Sequence, residues 1–161
     1  MRKGKKQLRG RSAKREGGET AGIAGPELAA GGLVWDAASG QVRRLAVIRR
    51  RQYDDWTLPK GRQEPGEKLD RTAVREVSEE LGGAIQVKLG SFAGKTRYTK
   101  KGRPKEVSFW HMHLAGTHTF TPNPEVKEVR WVTPGEAIQL LSHDSERRLV
   151  REVGADTSLP P

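Results

Sequence analysis

The sequence predicts one α/β domain of the α+β type, in which helices cover a mixed β-sheet. Three observations lead to this prediction. The length of 161 residues fits a single domain that can bury its own core. Strand-like segments occur on both sides of one amphipathic helical segment in the middle of the chain. Two further helical segments then follow the last of the strands.

The composition excludes several kinds of protein. The chain has no cysteine, which excludes disulfides, zinc–thiolate sites and a cysteine nucleophile and is typical of a reducing compartment. No apolar run approaches the roughly 20 residues that a membrane helix needs, and no apolar segment of a secretory signal follows the charged N-terminal residues. We therefore expect a cytoplasmic protein without a membrane partner, either a monomer or a homodimer.

The basic charge is concentrated near the N-terminus. The chain carries a net charge of +10, but residues 1–16 alone hold eight basic residues and one acidic residue, which leaves +3 for the remainder. Residues 1–26 are too polar to offset their ordering entropy, so we predict a disordered basic tail there, a domain over 27–153 and a C-terminal tail over 154–161. We expect the 1–16 segment either to bind nucleic acid weakly or to serve only as a solubilising extension.

Hydrophobic patterning predicts the elements of the first half. Leu28–Trp35 and Val42–Ile48 are predicted to form a hairpin, because turn residues at 36–40 separate two apolar runs. The proline and glycine content of Tyr53–Gly66 predicts a loop. Leu69–Leu81 is predicted to be a helix, because its apolar residues recur at the helical period and a glycine pair follows it.

The second half is predicted to contain three strands and two helices. The segment that follows the last of these strands has the pattern of a capping box and a proline at the first helical position, which predicts the start of a helix. The predicted bounds are Ala84–Tyr98, Lys105–Leu114 and Glu125–Val132 for the strands, with a turn at 100–104, and Thr133 through Leu141 and Ser145–Val153 for the helices.

Three glutamates share one side of the central predicted helix. Glu76, Glu79 and Glu80 lie at i, i+3 and i+4, where like charges disfavour a helix by a few tenths of a kcal/mol per pair. A ligand should therefore compensate for their repulsion. Carboxylate oxygens suit Mg²⁺ or Mn²⁺ and argue against zinc. Taken alone, the pattern is also compatible with a solvated acidic face.

The spacing around these glutamates resembles the signature of the Nudix hydrolases. Gly61 is followed after five residues by Glu67, and after seven more by Arg75-Glu76-Val77-Ser78-Glu79-Glu80-Leu81-Gly82. The last position of the signature is usually aliphatic or aromatic, and this chain has Gly83 there. The resemblance covers about residues 27–153 and implies an α–β–α sandwich with a mixed β-sheet.

The resemblance also implies a reaction. Members of this family cleave a nucleoside diphosphate linked to another group, with a divalent metal and water. By resemblance, Glu76, Glu79 and Glu80 hold Mg²⁺ or Mn²⁺, and the backbone carbonyl of Lys60 adds a ligand. Family members take their general base either from the signature or from a later loop. We favour Glu125 as the base, with a plain surface role as its alternative.

Four residues of the signature are implied to be structural. Glu67 and Arg75 are expected to form a bidentate pair that orients the metal-binding carboxylates, although an ordinary surface ion pair would look the same in the sequence. Gly61 and Gly82 complete this group.

Basic and aromatic residues nearby are candidates for substrate contacts. Arg49 and Arg51, at the end of a predicted strand, and Lys60, directly before the signature, are expected to bind phosphate. Tyr98 and His111 are candidates for base binding. One face of the strand that carries His111 must be core, and His111 can approach the substrate only if that face is the one with Trp110, Met112 and Leu114.

One loop narrows the range of substrates that we expect. Tyr53–Gly61 resembles the branch that contains hydrolases of dinucleoside polyphosphates and of oxidised nucleoside triphosphates, and we expect substrates of these classes. The alternatives are removal of 5′ pyrophosphate from RNA and hydrolysis of diphosphoinositol polyphosphates. A catalytically silent Nudix-fold module that binds nucleotides or RNA is a further alternative, against which the three intact glutamates argue.

Overall fold

The computed structural model describes residues 25–36 and 42–155. The predicted tails over 1–26 and 154–161 lie almost wholly outside these ranges and stay predictions. Within the described residues the strands are β1 (Glu27–Asp36), β2 (Arg44–Arg50), β3 (Trp56–Thr57), β4 (Lys60–Arg62), β5 (Val87–Lys100), β6 (Arg103–Leu114) and β7 (Val126–Val132). The helices are α1 (Leu69–Leu81), α2 (Pro134–Leu140) and α3 (Asp144–Gly154).

The strands form one mixed sheet with β1 at its centre. The main path runs β3-β2-β1-β6-β5, with β4 paired to β1 and β7 paired to β2. β1 is parallel to β6 from Glu27↔Lys105 to Trp35↔His113, and antiparallel to β2 and β4. Helix α1 packs on one face of the sheet, whereas α2 and α3 pack on the other. The predicted α+β class and the α–β–α sandwich are confirmed.

Both faces of the sheet are buried. Phe109 of β6 packs in the core beneath α2 and α3, and its neighbour Met112 packs in the core beneath α1. One face of this strand was expected to be core, and the structure buries both. The reason is that helices cover both sides of the sheet, so a central strand has no solvent face along its middle.

The segment predicted as a loop contains two short strands. Tyr53–Gly66 includes β3 and β4, which pair with β2 and β1. Gly31 makes this possible, because a Cβ at that position would overlap the carbonyl oxygen of Pro59. The same oxygen accepts the N–H of Gly32 at 3.1 Å. Contact between distant backbone segments thus overrides the local turn composition.

The helices agree closely with the predicted bounds. α1 has the predicted range and is followed by Gly82 at φ +112°, a conformation that favours glycine. The predicted capping box is present in α2. Thr133 Oγ1 accepts the N–H of Glu136 at 3.2 Å, and Glu136 Oε1 accepts the N–H of Thr133 at 2.9 Å. Among the described residues, no helix is long and apolar enough to cross a membrane.

Candidate active site

The three glutamates of α1 have different surroundings. Glu79 is 56% exposed, and its Oε1 accepts Arg75 Nη1 at 3.3 Å. Glu76 and Glu80 line a cavity of about 640 Å³. We call it the carboxylate cavity; its other lining residues include Arg50, Tyr53, Lys60, Tyr98, Lys100, Lys105 and Glu125. Acidic and basic groups thus line one cavity.

Gly61 allows the carboxylate of Glu76 to reach the sheet. A Cβ at residue 61 would overlap both carboxylate oxygens of Glu76. The Glu76 side chain therefore lies directly against the backbone of β4. Burial raises the pKa of Glu76, and the adjacent Arg75 opposes this rise. The requirement for glycine here is steric, which gives the expected structural role a physical cause.

Glu80 is a buried carboxylate. It is 7% exposed, and its Oε1 accepts the N–H of Lys60 at 2.9 Å. Burial raises the pKa of Glu80 to about 8, and the charge of Glu76 acts in the same direction. The hydrogen bond holds Glu80 against the backbone of β4.

Arg75 connects the glutamates of the signature. Its Nε and Nη2 donate to the two carboxylate oxygens of Glu67 at 2.7 and 2.9 Å, which is the expected bidentate pair. Its Nη1 also donates to Glu76 at 2.8 Å. The guanidinium of Arg75 lowers the pKa of Glu67 to about 2. Glu67 thus stays ionised and fixes the arginine that contacts Glu76.

Glu125 lies at the cavity on an anchored loop. Its side chain is exposed, and its N–H donates to Asn123 Oδ1 at 3.0 Å. The Asn123 side chain in turn donates to the backbone oxygen of Glu80 at 3.3 Å. The charge of Glu125 contributes to the raised pKa of both Glu76 and Glu80, so the three carboxylates are neighbours. Asn123 was not identified from the sequence, where nothing distinguishes it from other loop residues.

The structure changes the assignment of the arginines. Arg49 pairs with Asp54 at 2.9 Å, and Arg51 Nε donates to the carbonyl of Asn123 at 2.7 Å. Neither lines the carboxylate cavity, and phosphate binding by these two arginines stays a prediction. Arg50 lines it instead. The signal was strand alternation, since Arg50 follows Ala46 and Ile48, whose side chains pack beneath α1.

The two candidates for base binding lie in different places. Tyr98 lines the carboxylate cavity, and its ring centroid is 5.9 Å from Lys60 Nζ. His111 is 5% exposed, and its Nδ1 accepts the indole N–H of Trp35 at 3.0 Å. The structure therefore does not bring His111 to the carboxylate cavity. His111 belongs to the core, because β6 is covered on both faces.

The donor set suits a hard cation. Within residues 25–36 and 42–155, no three carboxylate or imidazole groups already converge as a metal site. Glu76 and Glu80 nevertheless present buried carboxylate oxygens, and burial raises the pKa of both because it disfavours their charged forms. A divalent cation would compensate for that charge, and oxygen ligands suit Mg²⁺ or Mn²⁺. Glu79 and Glu125 lie near enough to influence Glu76 electrostatically.

Comparisons with known proteins show which family model and which relatives this chain resembles. Residues 25–153 match the family model of the NUDIX domain. The 8-oxo-(d)GTP phosphatase of Mycolicibacterium smegmatis is 34% identical over 131 residues, which are 76% of this chain and 40% of that protein. The asymmetrical bis(5′-nucleosyl)-tetraphosphatase of Caenorhabditis elegans is 27% identical over 129 residues. That alignment covers 79% of this chain and 94% of the nematode protein.

A solved structure shows the same fold. The binary complex of the C. elegans Ap4A hydrolase has a TM-score of 0.70 and 24% sequence identity to this chain. The match covers 80% of this chain and 96% of that one. The likeness concerns the arrangement of the sheet and helices.

Proposed function

Because this chain belongs to the Nudix family, we propose that it is a divalent-metal-dependent pyrophosphohydrolase of nucleotides. The observation that carries the proposal is the carboxylate cavity, where half-buried Glu76 and buried Glu80 lie together with Arg50 and Lys60. A pyrophosphate carries clustered negative charge, which needs cations both for binding and for the departure of the leaving phosphate. The cavity offers carboxylates for a metal and side-chain cations for phosphate oxygens.

We propose Glu76, Glu79 and Glu80, with the backbone carbonyl of Lys60, as the metal ligands. A bound divalent ion neutralises phosphate charge and lowers the pKa of water. Arg75 orients Glu76 through its hydrogen bond, and the pair with Glu67 fixes Arg75.

The remaining residues bind substrate and move a proton. Glu125 accepts a proton from the attacking water at its exposed carboxylate. Arg50 and Lys60 bind phosphate oxygens, and the aromatic ring of Tyr98 stacks on the base. The Arg50 guanidinium is positioned for this by Asp55, which accepts Nε and Nη2 at 2.8 and 2.7 Å.

The proposed substrates are oxidised nucleoside triphosphates and dinucleoside polyphosphates. Support comes from the names of the mycobacterial and nematode relatives. The chain spans two fifths of the mycobacterial relative, so that protein's substrate supports the class only. Removal of 5′ pyrophosphate from RNA is a second candidate, because Lys100 and Lys105 line the cavity beside the exposed Lys101 and Arg103 of the β5–β6 turn.

A substrate panel tests the proposal. We expect hydrolysis of 8-oxo-dGTP or diadenosine tetraphosphate with Mg²⁺ or Mn²⁺ and none with chelator, measured by chromatography of the products. The panel also includes dGTP and a 5′-triphosphorylated RNA. Faster turnover of the RNA than of the nucleotides would show that RNA is the substrate. Saturable nucleotide binding without turnover under every metal condition would favour a silent binding module.

The proposed base is tested by Glu125→Gln. We expect kcat to fall about 10²-fold or more with little change in KM, because the change removes proton acceptance rather than binding. Glu128→Gln is the matched control, since Glu128 is a nearby glutamate that pairs with Arg130 at 2.9 Å. If Glu125→Gln kept the wild-type kcat and Glu76→Gln lost most of it, the general base would be assigned to α1 instead.

A further inference from the structure

A second cavity adjoins the carboxylate cavity. It has a volume of about 440 Å³, and we call it the distal cavity. Both cavities are lined by Arg50, Lys60 and Tyr98, so the two meet at these side chains. The distal cavity is further lined by Arg97 of β5 and by His143, Ser145 and Arg148 at the start of α3.

Two cations of the distal cavity lack an ion-pair partner. Among the described residues, the side chain of Arg148 forms no hydrogen bond or salt bridge, and Lys60 Nζ forms no salt bridge. Lys60 Nζ lies 5.9 Å from the centroid of the Tyr98 ring. Arg97 Nε donates to Glu106 Oε1 at 3.1 Å. Asp144 interacts electrostatically with Arg148, and Glu146 with Lys60. The distal cavity therefore has two cationic side chains that form no close ion pair.

The carboxylates of the distal cavity are already engaged. Asp144 forms an ion pair with Arg147 on the same helix. Glu146 is 2% exposed, and its Oε1 accepts the N–H of Leu58 at 3.1 Å. Burial raises the pKa of Glu146. An anion entering this cavity thus meets unpaired cations and few free carboxylates.

We propose that the distal cavity binds the phosphate groups of substrates whose polyphosphate chain is longer than that of a nucleoside triphosphate. This inference rests on the proposed function, since it extends the same site. Lys60 lies between the cavities and contacts the chain where it passes from one to the other. Arg148 binds the distal phosphate, for which the planar guanidinium offers paired donors. The site thereby selects substrates by the length of their phosphate chain.

The kinetic test compares Arg148→Gln with Arg151→Gln. Both arginines are exposed on α3, but Arg151 does not line the distal cavity. The substrates are ATP, adenosine 5′-tetraphosphate and diadenosine tetraphosphate. For Arg148→Gln we expect KM for the two tetraphosphates to rise about tenfold more than KM for ATP, because a charge-assisted hydrogen bond is lost. Arg151→Gln should keep the wild-type ratio, and Arg148→Lys should restore part of it.

A binding measurement separates this inference from the proposed function. Adenosine 5′-tetraphosphate is titrated calorimetrically into the protein without divalent metal, with ATP as the comparison. We expect Arg148→Gln to weaken the Kd of the tetraphosphate about five- to tenfold more than that of ATP, and Arg151→Gln to leave both unchanged. Equal KM changes for all three substrates, or an unchanged Kd, would overturn the inference. An equal loss of affinity for adenosine would assign the cavity to the base instead. Absence of all turnover contradicts the proposed function, while the calorimetry still decides the role of the distal cavity.

Discussion

At the scale of single residues, the site depends on side chains held directly against backbone. Glu76 lies on the Cα of Gly61, and Glu80 accepts the amide of Lys60. Both contacts involve β4, a strand of three residues that is paired to the centre of the sheet. The carboxylates are therefore positioned by rigid backbone, which limits the reorganisation needed for binding a cation.

The charge of Glu80 is tested by Glu80→Gln. The amide oxygen can still accept the Lys60 N–H, so the variant removes charge with little change of shape. We expect kcat to fall about 10²-fold or more, and we expect a similar fall in kcat for Glu79→Gln. Without metal, the melting temperature of Glu80→Gln should be unchanged or slightly raised, since a desolvated charge is lost.

Glu152→Gln on α3 controls for the loss of a glutamate charge, because Glu152 is exposed and outside both cavities. Kinetics and thermal melts of the variants check the prediction. Near-normal turnover by Glu80→Gln would remove the basis of the metal assignment.

The contact between Gly61 and Glu76 is tested by Gly61→Ala. The new methyl group must displace the carboxylate of Glu76, because the two would overlap. We expect a kcat loss of about 10- to 100-fold, as for a misplaced catalytic group. Gly135→Ala in α2 is the matched control, since a Cβ there meets no atom within 4 Å. If both variants kept full activity, the close approach would have no catalytic consequence.

At the scale of elements, one carboxylate joins β2, β3 and α3. Asp55 precedes β3, accepts two hydrogen bonds from Arg50 of β2, and accepts Nε2 of His143 at 2.7 Å. His143 is the residue before α3. Burial alone would raise the pKa of Asp55, but the bonds from Arg50 and His143 outweigh it and hold that pKa at about 2. Asp55 thus links the two cavities to the helix that borders one of them.

This link predicts a dependence of stability on acid. The pKa of Asp55 is lower in the folded state than its ordinary value of 3.8, so its contribution is present above about pH 4 and is lost as the pH falls towards 2. We expect Asp55→Asn to lower the unfolding free energy at pH 7 by on the order of 1 kcal/mol, after allowance for solvent screening. The difference from wild type should shrink at pH 2.

Urea denaturation at pH 7 and pH 2 measures both quantities. Glu152→Gln is the control, because Glu152 is an exposed carboxylate on α3 that forms no salt bridge among the described residues. An equal destabilisation of Asp55→Asn at the two pH values would contradict the electrostatic explanation.

Local signals explain which elements the sequence predicts. α1 is specified by its own apolar stripe and the glycine pair after it, and α2 by a capping box within four residues. β3 and β4 are not predictable in this way, because they exist through pairing with β2 and β1. The burial of His111 cannot be predicted from the sequence for a related reason. Its burial depends on helices on both sides of the sheet, which strand alternation alone does not reveal.

The same distinction applies within the site. Spacing along the chain is sufficient to group Glu76, Glu79 and Glu80 on one helix, but it does not show that Glu79 is much more exposed than Glu80. Which of the three consecutive arginines lines the carboxylate cavity depends on the direction of their side chains at the end of β2. There the pairing of β2 with β7 shifts register between Arg49 and Arg50.

At the scale of the whole molecule, the N-terminal charge is predicted to act independently of the hydrolytic site. Residues 1–16 carry most of the net charge of the chain, and every residue of the signature lies after position 60. A polar segment with this charge can contact phosphate backbones, and such binding weakens with salt through the release of counterions.

Deletion of residues 1–20 tests this separation. We expect hydrolysis of small nucleotides to persist and weak binding to duplex DNA to be largely lost. If about five phosphates are neutralised, log K of the full chain should fall with log[salt] with a slope of roughly −4 to −5. Fluorescence anisotropy over a salt series measures the slope. Unchanged salt-sensitive affinity after the deletion would place binding on the domain.

The central position of β1 has a consequence for the order in which the protein is made. Its parallel partner, β6, is synthesised much later, since Ala29 pairs with Val107. At roughly 5–20 residues per second, the ribosome leaves one edge of β1 unpaired for several seconds. During that time β1 has only its antiparallel neighbours, although both of its faces are apolar. Final closure of the sheet therefore depends on a late, long-range encounter, which favours slow folding and a need for protection of β1 during translation.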